Sequence, residues 1–383
     1  MKKMSKIILV PDSFKGTLSA ARVCEIMRGA IHTHFPNCEV VSIPVADGGE
    51  GTVDCFLQAL EGGEKITRRV SGPLPGMEVN ASYGVLPDNT AVVELAAAAG
   101  LPLVAGRANP CVTTTYGVGR LMLDAVKRGC KNLVVALGGS CTNDLGCGIA
   151  AAAGARFLDS NGNAFVPVGG TLDQIANIDL APLRENFNGV QITVMCDVNN
   201  PLHGPEGAAH VFSPQKGATP GMVLKLDAQL RAAAGVIENQ LGIKISGMPG
   251  AGAAGGAGAG MVAFFGATLQ SGITTMLDVA GFDQHLEGAD FVFTGEGRLD
   301  SQSARGKVIS GIARRVNRRV PVIVFAGAIE DPVDEMYSLG VTAMFSATRR
   351  AAPLDPARCE RDLALCVENI CKLLNAPRLR VSA

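Results

Sequence analysis

The sequence is poor in the residues on which nucleic-acid-binding proteins and zinc proteins depend. Its 383 residues include no tryptophan, 3 tyrosines and 5 histidines, and the formal net charge is −1. Single-stranded nucleic acid is bound by stacking on aromatic side chains, and a phosphate backbone is bound by clustered basic residues. His203 and His210 do not have the spacing of zinc ligands. We therefore expect neither a nucleic-acid partner nor a zinc site.

The sequence also lacks a long apolar segment and a C-x-x-C motif. The apolar run from Ile7 to Val10 ends at Pro11, and a signal peptide requires a longer one. The run AVVELAAAAGLPLVAG is interrupted by Glu94 and Pro102, which argues against a membrane span. The 11 cysteines are scattered, a pattern typical of free thiols in a reducing compartment. We expect a cytoplasmic protein with no membrane partner.

Both ends of the chain alternate between short apolar runs and helical patterns. KIILV predicts a buried strand, and the apolar residues after it recur at helical spacing behind Ser19, a favourable N-cap residue. Near the carboxyl terminus, ADFVFTG, VPVIVFAG and VTAMFS predict strands with helices between them. This alternation is typical of a doubly wound parallel sheet with helices on both faces.

The middle of the chain has a different pattern. From Arg68 onward, RRVSGPLPGMEVNASYGVL and NTAVVEL alternate in the manner of paired antiparallel strands. We therefore predict an α/β protein in which a doubly wound domain is interrupted by a second α/β domain with glycine-rich turns. The first domain comprises residues 1–68 and 287–383, and the inserted domain comprises residues 69–286.

Polar residues and glycines follow five of the predicted strands, in the segments PDSFKGT, ADGGEGT, LGGSCTND, CDVNNP and TGEGRLDSQS. Ligands of open α/β sheets bind beyond the carboxyl ends of the strands, and helices that begin there direct backbone N–H groups at anions. Ordinary turn chemistry explains any one segment equally well. Taken together, the five predict a phosphate and metal site. Its candidate residues are Asp12, Ser13, Lys15, Asp47, Glu50, Gly138, Gly139, Ser140, Asn143, Asp144, Asp197, Glu296, Arg298 and Asp300.

Four of these candidates carry more specific expectations. Asp197 directly follows the apolar run TVMC, so we expect a buried carboxylate with a partner, acting as a base or a metal ligand. Asp47 and Glu50 flank two glycines at a predicted helix start, where carboxylates either cap the helix or bind a metal. Lys15 is within reach of a phosphate, and a solvated surface lysine is the alternative interpretation.

The segment PGAGAAGGAGAG, residues 249–260, permits three interpretations. It matches G-x-G-x-x-G, but LGIKIS before it is a poor buried strand and no GK[ST] follows, so dinucleotide and P-loop patterns are weak. A flexible linker usually includes serine and other polar residues, whereas this segment continues into apolar MVAFFGA. We predict a tightly packed turn and helix start.

The strand-end segments, in their order along the chain, resemble those of the bacterial glycerate kinases. The similarity extends through TTTYGVG, CDVNNPLHGPEGAAHVFSPQKGA, PGAGAAGGAGAG and TGEGRLDSQSARGK, and it covers nearly the whole chain. The resemblance implies transfer of the ATP γ-phosphoryl group to D-glycerate, with Mg²⁺, at the 2-hydroxyl group. It also implies a flavodoxin-like domain interrupted by the inserted α/β domain.

The resemblance and the residues together suggest roles within the site. Asp197 is the candidate base for the glycerate hydroxyl, and Asp47 is the second candidate and a metal ligand together with Glu50. The N–H groups of Gly138, Gly139 and Ser140 are candidates for holding phosphate oxygens. Lys15 and Arg298 are candidates for neutralising a phosphate or the glycerate carboxylate.

Two other functions stay open from the residues alone. A dinucleotide-dependent oxidoreductase of a small hydroxy acid would require a strand before Gly250, and a non-catalytic sugar-acid sensor would bind glycerate without consuming ATP. A homo-oligomer is compatible with the sequence, which does not set the oligomeric state.

Overall fold

The computed structural model describes residues 4–14, 16–46, 48–49, 51–300, 308–330, 332–349 and 355–376. Within these ranges the chain forms 14 β-strands and 14 α-helices. The strands are β1 (Lys6–Pro11), β2 (Glu39–Ser42), β3 (Glu64–Ser71), β4 (Glu78–Val85), β5 (Thr90–Glu94), β6 (Asn132–Ala136), β7 (Arg156–Leu158), β8 (Ala164–Phe165), β9 (Asn177–Asp179), β10 (Gln191–Met195), β11 (Thr268–Gln270), β12 (Phe291–Leu299), β13 (Val322–Ile329) and β14 (Val341–Ser346).

The helices lie between these strands. They are α1 (Ala20–His34), α2 (Thr52–Ala59), α3 (Ala96–Ala99), α4 (Tyr116–Lys127), α5 (Cys147–Ala153), α6 (Ala181–Asn186), α7 (Ala208–Phe212), α8 (Pro220–Leu241), α9 (Ala253–Phe265), α10 (Gly272–Val279), α11 (Phe282–Leu286), α12 (Val308–Val316), α13 (Glu335–Leu339) and α14 (Pro356–Asn375). Short 3₁₀ helices cover Leu101–Val104, Leu172–Gln174 and Pro214–Lys216. In the described part of the chain, no helix combines the length and the apolar character that crossing a bilayer requires.

The chain divides into two compact units. The terminal unit comprises residues 1–47 and 273–383, and the central unit comprises residues 48–272. The domain boundaries that the sequence predicted, after residues 68 and 286, therefore lie farther along the chain than the boundaries of these units.

The terminal unit contains a five-stranded parallel sheet in the order β14-β13-β12-β1-β2. Numbered within the unit, this order is 2-1-3-4-5, that of flavodoxin-like folds. Helices α1 and α14 pack on one face through residues such as Met27 and Leu363. Helices α12 and α13 cover the other face through Ile309 and Met336. The predicted flavodoxin-like α/β fold is confirmed.

Local signals define the first elements of this unit. The predicted strand KIILV forms the buried β1, and helix α1 begins after Ser19, whose side chain accepts a hydrogen bond from the Arg22 N–H at 3.2 Å. That interaction is the N-cap expected from the sequence, and it satisfies one of the donors that a helix leaves open at its first turn.

The central unit contains a mixed six-stranded sheet in the order β11-β10-β6-β5-β4-β3. Strands β3, β4 and β5 pair in antiparallel fashion, as the alternating sequence predicts, while β5, β6, β10 and β11 are parallel. Strands β7, β8 and β9 form a separate three-stranded antiparallel sheet. The carboxyl ends of β6 and β10 lie side by side, because Ala136 pairs with Met195.

Candidate functional site

In the terminal unit, two candidate carboxylates lie side by side on neighbouring parallel strands. Pro11 of β1 pairs with Gly295 of β12, so Asp12 and Glu296 are the next residues on each chain segment. Both are buried, and the Asp12 N–H donates to the Gly295 carbonyl at 2.8 Å. The Asp12 carboxylate also accepts the Ser13 N–H at 2.6 Å, so Ser13 is held in the turn that follows β1.

Strand β12 is longer than the sequence predicted. The segment TGEGRLD was expected to form the loop after the strand, but pairing with β13 continues to Leu299 and Ile329. Glu296 and Arg298 therefore lie within the strand. Arg298 is exposed and forms ion pairs with Glu330 and with Asp300, the latter at 3.9 Å. Its predicted contact with a phosphate or carboxylate stays a prediction.

Three of the predicted residues, Lys15, Asp47 and Glu50, lie outside the described residues. Their assignments to phosphate binding, base catalysis and metal binding therefore stay predictions.

In the central unit, the loop after β6 packs against the turn that contains Gly48 and Gly49. The Gly138 N–H donates to the Gly48 carbonyl at 2.9 Å, and a side chain at Gly138 would place its Cβ 2.6 Å from the Gly49 Cα. Two glycine-rich segments that the sequence assigned to one site are thus in direct backbone contact. The Gly138 N–H donates within this contact, and its predicted contact with a phosphate oxygen stays a prediction.

The next two N–H groups of the loop differ from that of Gly138. Within the described part of the chain, the N–H groups of Gly139 and Ser140 donate to no hydrogen-bond acceptor. Gly139 is exposed and has a φ of +71°, a left-handed conformation that glycine adopts readily. Successive N–H groups at such a turn form concave sites that bind anions. The predicted contact of these two N–H groups with phosphate oxygens stays a prediction.

Asp144, predicted to bind substrate or phosphate, is instead buried as a structural cap. Its carboxylate accepts the Thr115 N–H and Oγ1–H at 2.8 Å each, the Gly146 N–H at 3.2 Å and the Gly148 N–H at 3.3 Å. Burial raises the pKa of Asp144 above its usual range, and the hydrogen bonds act in the opposite direction. Gly146 and Gly148 lie at the start of α5, whereas Thr115 directly precedes α4, so the Asp144 carboxylate links the first turns of these two helices.

Asn143 is also completely buried. Its Oδ1 accepts the Ser213 hydroxyl at 3.0 Å, while its Nδ2 has no hydrogen-bond partner among the described residues. The neighbouring Thr142 hydroxyl is likewise buried without a partner among them. Buried polar groups are usually satisfied, so orphaned donors mark this loop as unusual.

Asp197 does not have the burial expected of it. Strand β10 ends at Met195, and Asp197, two residues later, is exposed. Its Oδ1 accepts the Gly272 N–H at 2.9 Å. Since β10 and β6 are parallel neighbours, Asp197 follows the same sheet edge as the loop of Gly139 and Ser140.

The sequence did not predict a role for Lys216, whose side chain contacts the loop that follows β6. The side chain is 2% exposed, and its Nζ donates to the Ser140 Oγ and to the Thr142 carbonyl oxygen, both at 2.7 Å. Burial lowers the pKa of Lys216 to about 8. Its sequence context, SPQKGA, is that of an exposed loop, so no local pattern indicates the burial.

The segment from Pro249 to Gly260 packs against the loop that follows β6. The Leu145 N–H donates to the Gly255 carbonyl at 3.1 Å, and a Cβ at Gly255 would lie 2.1 Å from the Thr142 carbonyl oxygen. A Cβ at Gly260 would lie 2.0 Å from the Leu145 carbonyl oxygen. The prediction of a tightly packed turn and helix start is confirmed, because the segment forms a buried turn and the beginning of α9.

No strand directly precedes Gly250 among the described residues, since residues 242–248 contain none. A dinucleotide-binding fingerprint requires a strand at that place. The weakness of the dinucleotide pattern is therefore confirmed.

In the part of the chain that the structure describes, no group of three or more histidine, cysteine, aspartate or glutamate side chains could hold a metal ion. Magnesium usually binds one or two carboxylates together with water and substrate phosphates, so it does not need such a cage. Asp197 presents an exposed carboxylate at the sheet edge, and carboxylate oxygens suit Mg²⁺.

Comparison with known proteins gives a consistent result. The sequence model of the glycerate kinase family matches residues 7–375. The chain is 43% identical over 355 residues to glycerate 2-kinase of Escherichia coli K12, covering 92% of this chain and 93% of that protein. It is 42% identical over 365 residues to a glycerate kinase of Halalkalibacterium halodurans, covering 94% and 96%. A crystal structure assigned to glycerate kinase 2 of Salmonella typhimurium LT2 superimposes with a TM-score of 0.87 at 39% identity, covering 97% of this chain and 98% of that one.

Proposed function

The chain belongs to the glycerate kinase family, and from this premise we propose that it transfers the γ-phosphoryl group of ATP to the 2-hydroxyl group of D-glycerate. The chain is an ATP-dependent glycerate kinase, with glycerate and ATP as its substrates. The observation that carries this conclusion is the extent of the family match, which runs from residue 7 to residue 375 and so includes each strand-end segment. The choice of the 2-hydroxyl is supported by the similarity to a glycerate 2-kinase.

Phosphoryl transfer depends on positioning and on neutralising negative charge more than on covalent chemistry. The N–H groups of Gly139 and Ser140 hold oxygens of an anionic substrate at the edge of the central sheet. Asp197, on the same edge, accepts the proton of the glycerate hydroxyl as phosphate is transferred. Its exposure suits this role, because a base must reach the hydroxyl that it deprotonates.

Magnesium, when bound, supplies positive charge to the phosphates of ATP. Asp47 and Glu50 are its proposed ligands, and Asp197 adds an exposed carboxylate at the edge that carries the proposed anion-binding loop. Glu296 and Asp12 of the terminal unit are proposed substrate contacts, as is Ser13.

The product 2-phosphoglycerate would be a direct substrate of enolase, with no mutase required. We therefore place the enzyme in breakdown of glycerate, glucarate or glyoxylate. The oxidoreductase and the sugar-acid sensor that the residues alone left open are displaced by membership of a kinase family.

Phosphorus NMR of the reaction products tests the proposed regiochemistry. After incubation with ATP, Mg²⁺ and D-glycerate, we expect the phosphorus signal of 2-phosphoglycerate to grow together with that of ADP. A matched incubation with L-glycerate controls for stereochemistry and should give little product. A pure signal of 3-phosphoglycerate would contradict the assignment to the 2-hydroxyl group.

A further inference from the structure

Lys216 is a buried cation without an ion-pair partner. Among the described residues, no carboxylate lies within ion-pair distance of its ammonium group. The two atoms that it does contact, the Ser140 Oγ and the Thr142 carbonyl oxygen, are neutral. Burying an ammonium group is costly unless its charge is compensated, and two neutral acceptors compensate it only in part.

Two titratable groups face Lys216, and neither serves as its counter-charge. Burial raises the pKa of Cys141 to about 12, so this side chain is a neutral thiol at physiological pH. The carboxylate of Asp144 raises the pKa of Lys216 from a distance, but its oxygens are occupied by Thr115, Gly146 and Gly148. The surroundings of Lys216 therefore disfavour the charged form of its side chain.

The position of Lys216 suggests what compensates the charge. Ser140, which Lys216 contacts through Oγ, is also the residue whose backbone N–H lacks an acceptor in the described part of the chain. The next residue back, Gly139, presents a second such N–H and is exposed. The buried charge thus contacts the side chain of Ser140, one of the two successive residues whose N–H groups have no acceptor in the described part of the chain.

We propose that Lys216 is a positioning residue that supplies the buried positive charge for an anion bound by the Gly139 and Ser140 N–H groups. This inference rests on the proposed function of that loop and deepens it. The anion is a phosphate group of ATP or the carboxylate of glycerate, which share the same acceptor chemistry. Lys216 orients Ser140 through its hydroxyl, fixes the Thr142 carbonyl and attracts the anion through a medium of low dielectric constant.

The pKa of about 8 makes the interaction measurable. An anion that binds near Lys216 favours the charged form of its side chain and so raises its pKa. At pH 8 a substantial fraction of the free enzyme carries neutral Lys216, and anion binding should then be accompanied by proton uptake. At pH 6, where Lys216 is already protonated, uptake by this group should vanish.

Isothermal titration calorimetry measures both effects without requiring turnover. Titrations of ATP without Mg²⁺, of D-glycerate and of inorganic phosphate, each in two buffers of different ionisation enthalpy, give affinity and protons taken up. Lys216→Met removes the charge at similar length. Lys225→Met removes an exposed lysine of α8 in the same unit and serves as the matched control.

For Lys216→Met, we expect the affinity for one anion to fall by about 10- to 100-fold, the range typical of hydrogen bonds that involve a charged group. Proton uptake at pH 8 should disappear in this variant and persist in Lys225→Met. A loss confined to ATP and phosphate assigns the subsite to a phosphate group, and a loss confined to glycerate assigns it to the carboxylate.

Unchanged affinities in a folded Lys216→Met variant would overturn the proposal and leave Lys216 with a structural role only. If this variant does not fold, the wild-type protein decides the question, because absence of proton uptake on anion binding at pH 8 contradicts the proposal by itself. Failure of the proposed kinase function would be recognised separately, as anion binding without glycerate-dependent ADP formation.

Discussion

At the scale of single residues, the burial of Asp197 and of Asp144 is the opposite of what their sequence contexts suggest. Asp197 follows an apolar run and is exposed, whereas Asp144 lies in a glycine-rich turn and is completely buried. Local composition reports where a strand ends, but burial depends on which other segments cover the residue. Asp144 accepts hydrogen bonds from Thr115, and its neighbours Asn143 and Leu145 pack against α9, both segments distant in sequence.

Lys216 illustrates the same limit more strongly. A lysine in a polar segment such as SPQKGA is usually exposed, and nothing within several residues indicates otherwise. Its partners, Ser140 and Thr142, lie more than 70 residues away along the chain. The candidate loop could be predicted from its glycines and its place after a strand, while the cation behind it could not.

Asp197→Asn tests the proposed base. The asparagine keeps an oxygen that can accept the Gly272 N–H, so the fold should be retained, but the amide cannot accept the proton of the glycerate hydroxyl. We expect kcat to fall by about 10²–10⁴-fold, the usual contribution of general-base catalysis. Steady-state kinetics, with circular dichroism as the check on folding, measure the effect.

Asp173→Asn, at an exposed aspartate of the same unit, is the matched control and should be near wild type. Turnover of Asp197→Asn within a few-fold of wild type would remove Asp197 from the chemistry and favour Asp47.

The buried lysine also predicts a pH dependence of stability. Its pKa in the folded protein, about 8, is below its ordinary value of 10.5. Between these pH values the unfolded chain binds more protons, so the contribution of Lys216 to the free energy of unfolding increases as pH rises. The slope reaches at most about 1.4 kcal/mol per pH unit.

Denaturant unfolding of the wild type and of Lys216→Met at pH 7 and pH 10 measures this contribution to the free energy of unfolding. The wild type should gain stability relative to the variant at the higher pH. A difference between the two proteins that does not change with pH would contradict the lowered pKa.

At the scale of elements, the regular strands and helices of the terminal unit could be predicted because each has a strong local pattern. β1 is a continuous apolar run, and α1 combines a Ser19 cap with an apolar stripe. Helix α8 carries comparable signals, with Thr219 as its N-cap and Gly242 after its last turn. The sheet of β7, β8 and β9 has strands of two or three residues, too short for any alternation to be recognised.

The packed glycines in the first turns of α9 lead to a prediction at this scale. Valine at Gly255 would be forced into a left-handed conformation against the Thr142 carbonyl, and valine at Gly258 would place Cβ 2.3 Å from the Gly250 carbonyl oxygen. Each variant should lose at least about 1–3 kcal/mol of stability, as overpacked sites do. Because Gly255 also supports the loop of Ser140, we expect Gly255→Val to lose activity as well.

Gly235→Val in α8 is the matched control, because no atom lies within 4 Å of a Cβ built there. Thermal unfolding and turnover of the three variants show whether close packing of this segment is required for stability and activity. Near-wild-type behaviour of both Gly255→Val and Gly258→Val would mean that the segment acts as a linker.

At the scale of the whole molecule, the alternation at the two chain ends predicted a doubly wound domain built from both termini, and the resemblance to glycerate kinases implied its flavodoxin-like order, but neither gave the unit boundaries. Helix α2 continues the strand–helix alternation of the first residues, yet it packs on β4: a Cβ at Gly84 would lie 3.1 Å from Val53 Cγ1. At the other boundary, a Cβ at Gly311 would lie 2.5 Å from Ile273, which therefore packs with the terminal unit. Local patterns specify the type of an element and leave open the sheet on which it packs.

The central claim is that this chain couples ATP consumption to glycerate, and the rate of ADP release measured with and without D-glycerate tests it most directly. With purified protein, ATP and Mg²⁺, we expect ADP to form only when D-glycerate is added, and we expect no ADP when Mg²⁺ is chelated. Asp197→Asn, treated identically, should show a strongly reduced rate. ADP release that is independent of glycerate, or absent across a broad range of pH, would contradict the account.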